Sequence, residues 1–262
     1  MTNKDKYQLF CKKEPIPVFS QDWWLDSVCV NGKWDVALIE KNGEVVASMP
    51  YYLKKKGMFT QICMPPLTQT MGPYITYPEG QKYSKRLSYE KEIMNNLIDQ
   101  IPKVDYFCQN FHSSITNWLP FYWRGFSQST RYTYILNKEQ NEHLFQSNIK
   151  TDIKKAQKKV SVKTTNSISE IWQCLTKTFL RQNQMPPYSE QFLIDLDLKA
   201  TKKESSIKLV AVDNEERVHA AIYLVVFNNT AYYLIGGGDP EFRNSGATSL
   251  LINEGLTIAK DQ

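Results

Sequence analysis

Four short and mostly apolar segments form two similar pairs 173 residues apart. The segments are residues 36–40, 44–53, 209–213 and 218–226. Short apolar runs bounded by turn residues predict strands, and Asn42-Gly43 between the first two predicts a tight hairpin turn because both residues tolerate positive φ. A third strand is predicted after each hairpin, over residues 58–64 and 231–235. Few residues are identical between the copies, so the pattern predicts an internal repeat, with chance agreement as the alternative.

Apolar residues at spacings of three and four predict helices around both copies. The predicted helices cover residues 21–28, 89–101, 142–159, 169–181 and 189–198, with Ser20 and Ser88 as caps of the first two. Residues 107–136 are rich in strand-forming side chains. We therefore predict an α/β (α+β) protein of two tandem domains, residues 1–136 and 137–262, each a mostly antiparallel sheet flanked by helices.

The composition excludes several classes of protein. Apolar residues make up 42% and charged residues 23%, as in globular proteins. The longest apolar run, residues 220–227, is far shorter than the roughly 20 residues that span a bilayer. The N-terminus does not resemble a signal peptide, and the five cysteines are scattered without a C-x-x-C pair. These features predict a cytoplasmic protein with reduced thiols, no membrane span and no metal site.

The net charge of +5 is concentrated in one segment. Residues 147–163 contain six lysines and one acid, so the rest of the chain sums to zero. This segment is where an anionic partner is expected, with Lys154 as a candidate contact. The alternative is a solvated helix face, since the apolar residues of the segment lie on one side of the predicted helix.

A glycine-rich segment is the main candidate for a site. Gly236, Gly237 and Gly238 end a predicted strand, a loop containing Pro240 follows, and an apolar helix begins after Gly246. Such a turn exposes unpaired N–H groups at the positive end of the helix dipole, where a pyrophosphate can bind. An ordinary strand–loop–helix connection remains the alternative. The candidate phosphate-binding residues are Arg243, Asn244, Ser245, Gly246, Ala247 and Thr248.

Residues 243–248 resemble the R/Q-x-x-G-x-G/A turn with which GNAT acyltransferases hold the pyrophosphate of acyl-CoA, although Thr248 stands where that turn has Gly or Ala. Residues 117–126, 131–136 and 149–156 are similar to segments of FemAB-like proteins, in which two GNAT domains follow each other. The resemblance covers most of the chain. It implies an acyltransferase with coenzyme A, as acyl-CoA, for its co-substrate.

The resemblance also implies a direct attack of an acceptor amine on the acyl carbonyl, which the backbone of a strand holds. Candidates for the proton acceptor are Glu254 and Asp239, each with a solvated or capping role as the alternative. Tyr232 and Gly237 are candidates for substrate contacts, with core packing as the alternative for the tyrosine. His112 is a candidate for a groove between the two domains, with a turn at a strand end as the alternative. GNAT enzymes often use a Tyr from a later segment as general acid. The helix after Gly246 continues to the last residue, so the second domain is predicted to be truncated, and no such Tyr can be assigned.

Several partners remain open. Members of the FemABX type transfer aminoacyl groups from tRNA to cell-envelope precursors and commonly contain a long helical hairpin. Residues 166–203 are too few for a large hairpin, which favours acyl-CoA over tRNA as donor. The acceptor is expected to be a small-molecule or cell-envelope precursor amine. A non-catalytic binding module is the rival interpretation, and nucleic-acid binding by the lysines alone ranks last, because no aromatic residues lie among them.

Overall fold

The structure is a computed structural model that describes residues 1–137 and 145–260. The chain forms two compact units, Met1–Tyr132 and Thr133–Gln262. Each combines a sheet with helices, which confirms the mixed α/β class. Among the described residues, no helix is both long and apolar enough to cross a membrane.

The first unit is built around a five-stranded sheet. Its elements are α1 (Asn3–Lys13), α2 (Asp22–Val28), β1 (Lys33–Lys41), β2 (Glu44–Lys56), β3 (Phe59–Ile62), β4 (Tyr74–Ile75), α3 (Tyr83–Asp99), β5 (Tyr106–Phe107) and α4 (Leu119–Trp123). The strand order is β1-β2-β3-β5, with β4 paired to β2. All pairs are antiparallel except that of β3 with β5. Ile93, Met94 and Leu97 of α3 are buried against Ala37 and Met49 of the sheet, so they form the core of this unit.

The second unit is an antiparallel sheet between two layers of helices. Its elements are α5 (Ser147–Ala156), β6 (Ser161–Thr164), α6 (Ile168–Leu180), α7 (Glu190–Lys202), β7 (Ser206–Val212), β8 (Val218–Phe227), β9 (Thr230–Gly238) and α8 (Ala247–Lys260). The strand order is β6-β7-β8-β9. Ile222 and Leu224 of β8 pack on Leu250 and Leu251 of α8. The helices α6 and α7 cover the opposite face of the sheet.

The strand registers confirm the predicted repeat. The strands β2 and β8 correspond at the predicted shift of 173 residues, whereas β1 and β7 correspond at 172, and both hairpins carry a β-bulge at the same place. Val46 is the extra residue of the bulge in β2, and His219 is the extra residue in β8. A bulge shared at equivalent positions is a property of the repeat and not of one hairpin sequence.

The sequence-based prediction was wrong for residues 107–136. Within this stretch the structure has the end of β5 and the helix α4, and the remainder is irregular. Tyr132 and Tyr134, which suggested a strand, are exposed at 94% and 98%. Strand-forming side chains make a strand only when a neighbouring strand pairs with them, and the described residues provide none here. Helix α3 also begins six residues before its predicted start, and residues 142–144 of the predicted lysine-rich helix lie outside the described residues.

Candidate functional site

A cavity of about 410 Å³ lies in the second unit, at the end of β9. One side is formed by Gly236, Gly237 and Gly238 of β9 and by the 3-10 turn Pro240–Ser245 that follows. The first turn of α8 forms the base, and side chains of α5 and α6 complete the wall. The volume is that of a site for a small ligand.

The first turn of α8 offers unpaired backbone donors. Gly246 adopts a left-handed conformation (φ +79°), and its C=O accepts the N–H of Leu250 at 3.1 Å. The Ala247 N–H donates to Ser245 Oγ at 3.3 Å. The N–H groups of Thr248 and Ser249 have no acceptor in the described parts of the chain. Two free N–H groups at the positive end of a helix dipole favour an anion.

Gly246 also lets α5 approach this turn closely. A Cβ at this position would lie 2.3 Å from the backbone O of Asp152. No residue with a side chain fits there, so the glycine satisfies both the positive φ and the contact between the turn and α5. This contact places Lys155, one turn after Asp152, in the wall of the cavity.

The cations of the cavity outnumber its available acids. Lys155, Arg181 and Arg243 line it, and none forms an ion pair within residues 1–137 and 145–260. Asp239, by contrast, is buried and paired with Lys177. Burial alone would raise the pKa of the Asp239 carboxyl, but hydrogen bonds from Lys177 and from the Glu241 N–H lower it below its usual value. Asp239 thus remains ionised and bonded within the protein, and an anionic ligand would meet a net positive surface.

The glycines of β9 present backbone to the edge of the sheet. Within the described residues, β9 is an edge strand. The Gly238 N–H donates to Thr178 Oγ1 of α6 at 3.2 Å and not to β8. In an antiparallel pair, every second residue turns its N–H and C=O away from its partner, so Gly236 presents these groups to the same edge. Gly237 faces α6, where a Cβ would lie 2.5 Å from the backbone of Cys174.

Most of the residues predicted from the glycine-rich segment lie at this cavity. They are Gly237, Asp239, Arg243, Asn244, Ser245, Gly246, Ala247 and Thr248. Tyr232 and Lys154 do not line it, whereas their neighbours Tyr233 and Lys155 do.

Two further predicted residues lie elsewhere. Glu254 is half-buried seven residues after Ala247, about 10 Å further along the helix axis. His112 belongs to the first unit, where its Nδ1 is 2.9 Å from Ser114 Oγ. The structure therefore gives neither residue a contact with the cavity.

Sequence reasoning missed the residues of the wall that come from α5, from the end of α6 and from β8, and also the Phe242 side chain of the 3-10 turn. The missed residues are Asp152, Lys155, Thr178, Arg181, His219 and Phe242. The spacing of Thr178 and Arg181 places them on one helix face, but only the packing of α6 on β9 shows which face meets the cavity. No group of three or more His, Cys, Asp or Glu in the described part of the chain could hold a metal ion.

Residues 145–261 match the family model of the acetyltransferase (GNAT) domain. No curated protein matches the chain. Among solved structures, FemX is similar over 100% of this chain and 85% of its own, with a TM-score of 0.68 and 10% identity. L-PGS from Bacillus licheniformis is similar over 98% of this chain and 72% of its own, with a TM-score of 0.52 and 9% identity.

These comparisons confirm the resemblance seen in the sequence. The chain has a FemAB-like GNAT acyltransferase fold, and its second unit carries the matched GNAT domain. The cavity at Arg243 lies within that matched segment. The class of activity that the match supports is acyl transfer.

Proposed function

We propose that this protein transfers an acyl group from acyl-CoA to an acceptor amine, with the donor's pyrophosphate at residues 243–248. One observation carries the proposal. The free N–H groups of Thr248 and Ser249 lie in the same cavity as unpaired Arg243 and Lys155 and as the exposed backbone of β9. A pyrophosphate is stabilised by the positive end of a helix dipole, by backbone N–H donors and by a guanidinium, and this cavity offers all three.

The groups that line the cavity are chemically suited to an acyl-CoA donor. Gly246 leaves no side chain above the turn, and the adjacent donors are unpaired. The donor supplies an acyl group activated as a thioester. The N–H of Gly236, which the strand pattern turns away from β8, is suited to orient its carbonyl by a hydrogen bond that strengthens as negative charge develops on the oxygen. Asp239 is held ionised by Lys177, which suits orientation of the turn rather than proton uptake.

Aminoacyl-tRNA is the second candidate for the donor. The observation in its favour is the basic surface of α5 and the turn after it, where Lys150, Lys154, Lys158 and Lys159 are all exposed. A nucleic acid would use many of these charges together, whereas the pyrophosphate of acyl-CoA would use only those at the cavity.

Replacement of Arg243 tests the proposed donor site. We expect the wild-type protein to bind coenzyme A and acetyl-CoA, and Arg243→Ala to bind both about 10- to 100-fold more weakly, because it loses a charge-assisted contact with phosphate. Arg243→Lys keeps the charge without the planar fork and should fall between them. Isothermal titration calorimetry measures the affinities. A thiol-specific dye then reports coenzyme A release in the presence of an amine panel. Absence of binding by folded wild-type protein would contradict acyl-CoA as donor.

A comparison of two lysines distinguishes the two donors. Lys155 lines the cavity and Lys158 does not, although both are exposed lysines of the same basic surface. We expect Lys155→Ala to weaken coenzyme A binding about two- to fivefold, the size of an exposed ion pair, and Lys158→Ala to leave it unchanged. If tRNA is the donor, both variants should weaken tRNA binding similarly, with a smaller salt dependence than the wild type.

A further inference from the structure

The side chain of Phe242 contacts two polar residues of the β7–β8 hairpin. Its ring stacks on that of His219, with centroids 3.9 Å apart and planes 4° from parallel. The Arg217 guanidinium lies 5.2 Å from the Phe242 centroid. Asp213 contacts both His219 and Arg217. We refer to Phe242, His219, Arg217 and Asp213 as the Phe242 clamp.

Asp213 fixes the polar side of the clamp. Its Oδ2 accepts from Arg217 Nε at 2.8 Å and lies 3.1 Å from His219 Nε2. Its Oδ1 accepts the backbone N–H groups of Glu215 and Arg217, each at 3.0 Å. The hydrogen bond from Arg217 is the main reason why the pKa of the Asp213 carboxyl lies well below its usual range. The carboxylate therefore orients the imidazole and the guanidinium at the same time.

The bulge of β8 explains how a histidine reaches this position. His219 is the extra residue of that bulge, and its counterpart in the first unit is Val46. A bulge turns a side chain away from the direction that a regular strand would give it. The C=O of His219 also accepts the Asp239 N–H at 2.9 Å, so the bulge contacts the first residue before the 3-10 turn.

A role in stability alone does not account for His219. The side chain is 7% exposed, and its Nδ1 is buried without a hydrogen-bond partner in the described residues. An unsatisfied buried polar atom lowers stability, and the first unit has valine at the equivalent position. The flat imidazole, unlike valine, provides a face against which the Phe242 ring stacks.

The clamp acts on the residue that we assign to phosphate binding. Phe242 directly precedes Arg243, and the 3-10 turn Pro240–Ser245 contains both. The other end of the turn is fixed by Asp239, which caps it through the Glu241 N–H at 3.0 Å and pairs with Lys177. Arg243 itself is exposed and has no partner in the described residues, so its backbone is fixed while its guanidinium is free to bind.

We propose that the Phe242 clamp is a positioning device, in which His219 and Phe242 hold the 3-10 turn so that Arg243 and the start of α8 meet the donor's pyrophosphate together. This inference rests on the proposed function of the cavity. His219 and Phe242 act through Arg243 and are positioning residues, so their loss lowers donor affinity without removing a reacting group.

The test replaces His219 with valine, the residue that its counterpart Val46 has. We expect His219→Val to keep or raise the thermal stability, because the unsatisfied Nδ1 is lost, and yet to weaken coenzyme A binding about tenfold. Phe242→Leu should weaken binding similarly, and the double variant should be no weaker than either single variant, because the two side chains form one contact. Phe242→Tyr keeps an aromatic ring against His219 and should therefore retain most of the wild-type affinity.

NMR spectroscopy, steady-state kinetics and calorimetry together distinguish a positioning role of the Phe242 clamp from a catalytic role. The His219 ring protons should be shifted upfield by the stacked ring in the wild type and return towards ordinary values in Phe242→Leu. KM for the donor should rise with kcat nearly unchanged. Wild-type affinity in both single variants would overturn the clamp alone, whereas a folded wild type that binds no coenzyme A would overturn the proposed function and the clamp with it. A fall in kcat at unchanged affinity in His219→Val would instead assign proton transfer to His219 and overturn a positioning role.

Discussion

We expect Lys208→Met to lower the free energy of unfolding of the second unit by about 3–5 kcal/mol. Lys208 Nζ lies 2.8 and 2.7 Å from the two carboxylate oxygens of Asp197, and both side chains are buried. The Tyr223 hydroxyl, on the neighbouring strand, donates to Asp197 Oδ1 at 2.9 Å. Removal of the ammonium leaves a carboxylate in the layer between the sheet and α7 with no opposite charge, and this is the reason for the large effect.

Two further variants test this explanation. Lys163, on β6, forms an ion pair with Glu216, and its side chain is 48% exposed. Lys163→Met should therefore change the free energy of unfolding by less than about 1 kcal/mol. The double variant Lys208→Met/Asp197→Leu removes both buried charges and should recover much of the lost stability. Urea unfolding gives the free energies, and hydrogen exchange in β7 and β8 shows which unit is affected. A loss of less than about 1 kcal/mol in Lys208→Met would contradict a dry ion pair.

The sequence was sufficient to predict the meanders of both units. Asn42 has φ +54° and Gly43 has φ +81°, as their turn requires, and the apolar segments of β1, β2, β7 and β8 form the sheets. These elements could be predicted because turn chemistry and short apolar runs are local properties of the sequence. The repeat distance followed from the same signals.

The buried ion pair could not be predicted in this way. Lys208 lies on β7, and its partner Asp197 lies on α7. In the sequence, both look like ordinary surface charges, because the pattern of a strand does not show what covers each of its two faces. The face of Lys208 is covered by α7, so a charged residue there must find its opposite charge inside the protein.

The candidate site, like the fold, could be predicted from the sequence only where local signals define it. The turn around Gly246 is a local signal, and the structure places it in a cavity. Lys155 rather than Lys154 enters the wall because Gly246 fixes how α5 packs, which depends on a contact between residues far apart in the chain. Phe242 and His219 are separated by the whole of β9, so only the folded hairpin shows that they stack.

Replacement of Gly246 with alanine is expected to have the largest effect on the cavity. The variant must accommodate a Cβ at positive φ and, in addition, move Asp152 O away from a contact of 2.3 Å. We expect a loss of about 3 kcal/mol or more in the free energy of unfolding, from backbone strain and overpacking together. Coenzyme A affinity should fall at least about tenfold, since the start of α8 and Lys155 can no longer keep their relative positions.

The control for Gly246→Ala is Gly43→Ala in the hairpin of the first unit. Gly43 has φ +81°, close to the φ of +79° at Gly246, but nothing lies within 4 Å of the point that a Cβ would occupy there. Its replacement should cost about 1–2 kcal/mol, which is the backbone term alone, and leave coenzyme A binding unchanged. Urea unfolding and calorimetry of the two variants separate strain from steric contact. Equal losses of stability in the two variants would show that α5 can move away from the added Cβ without an energetic cost. Unchanged affinity in Gly246→Ala would argue against pyrophosphate binding at the start of α8.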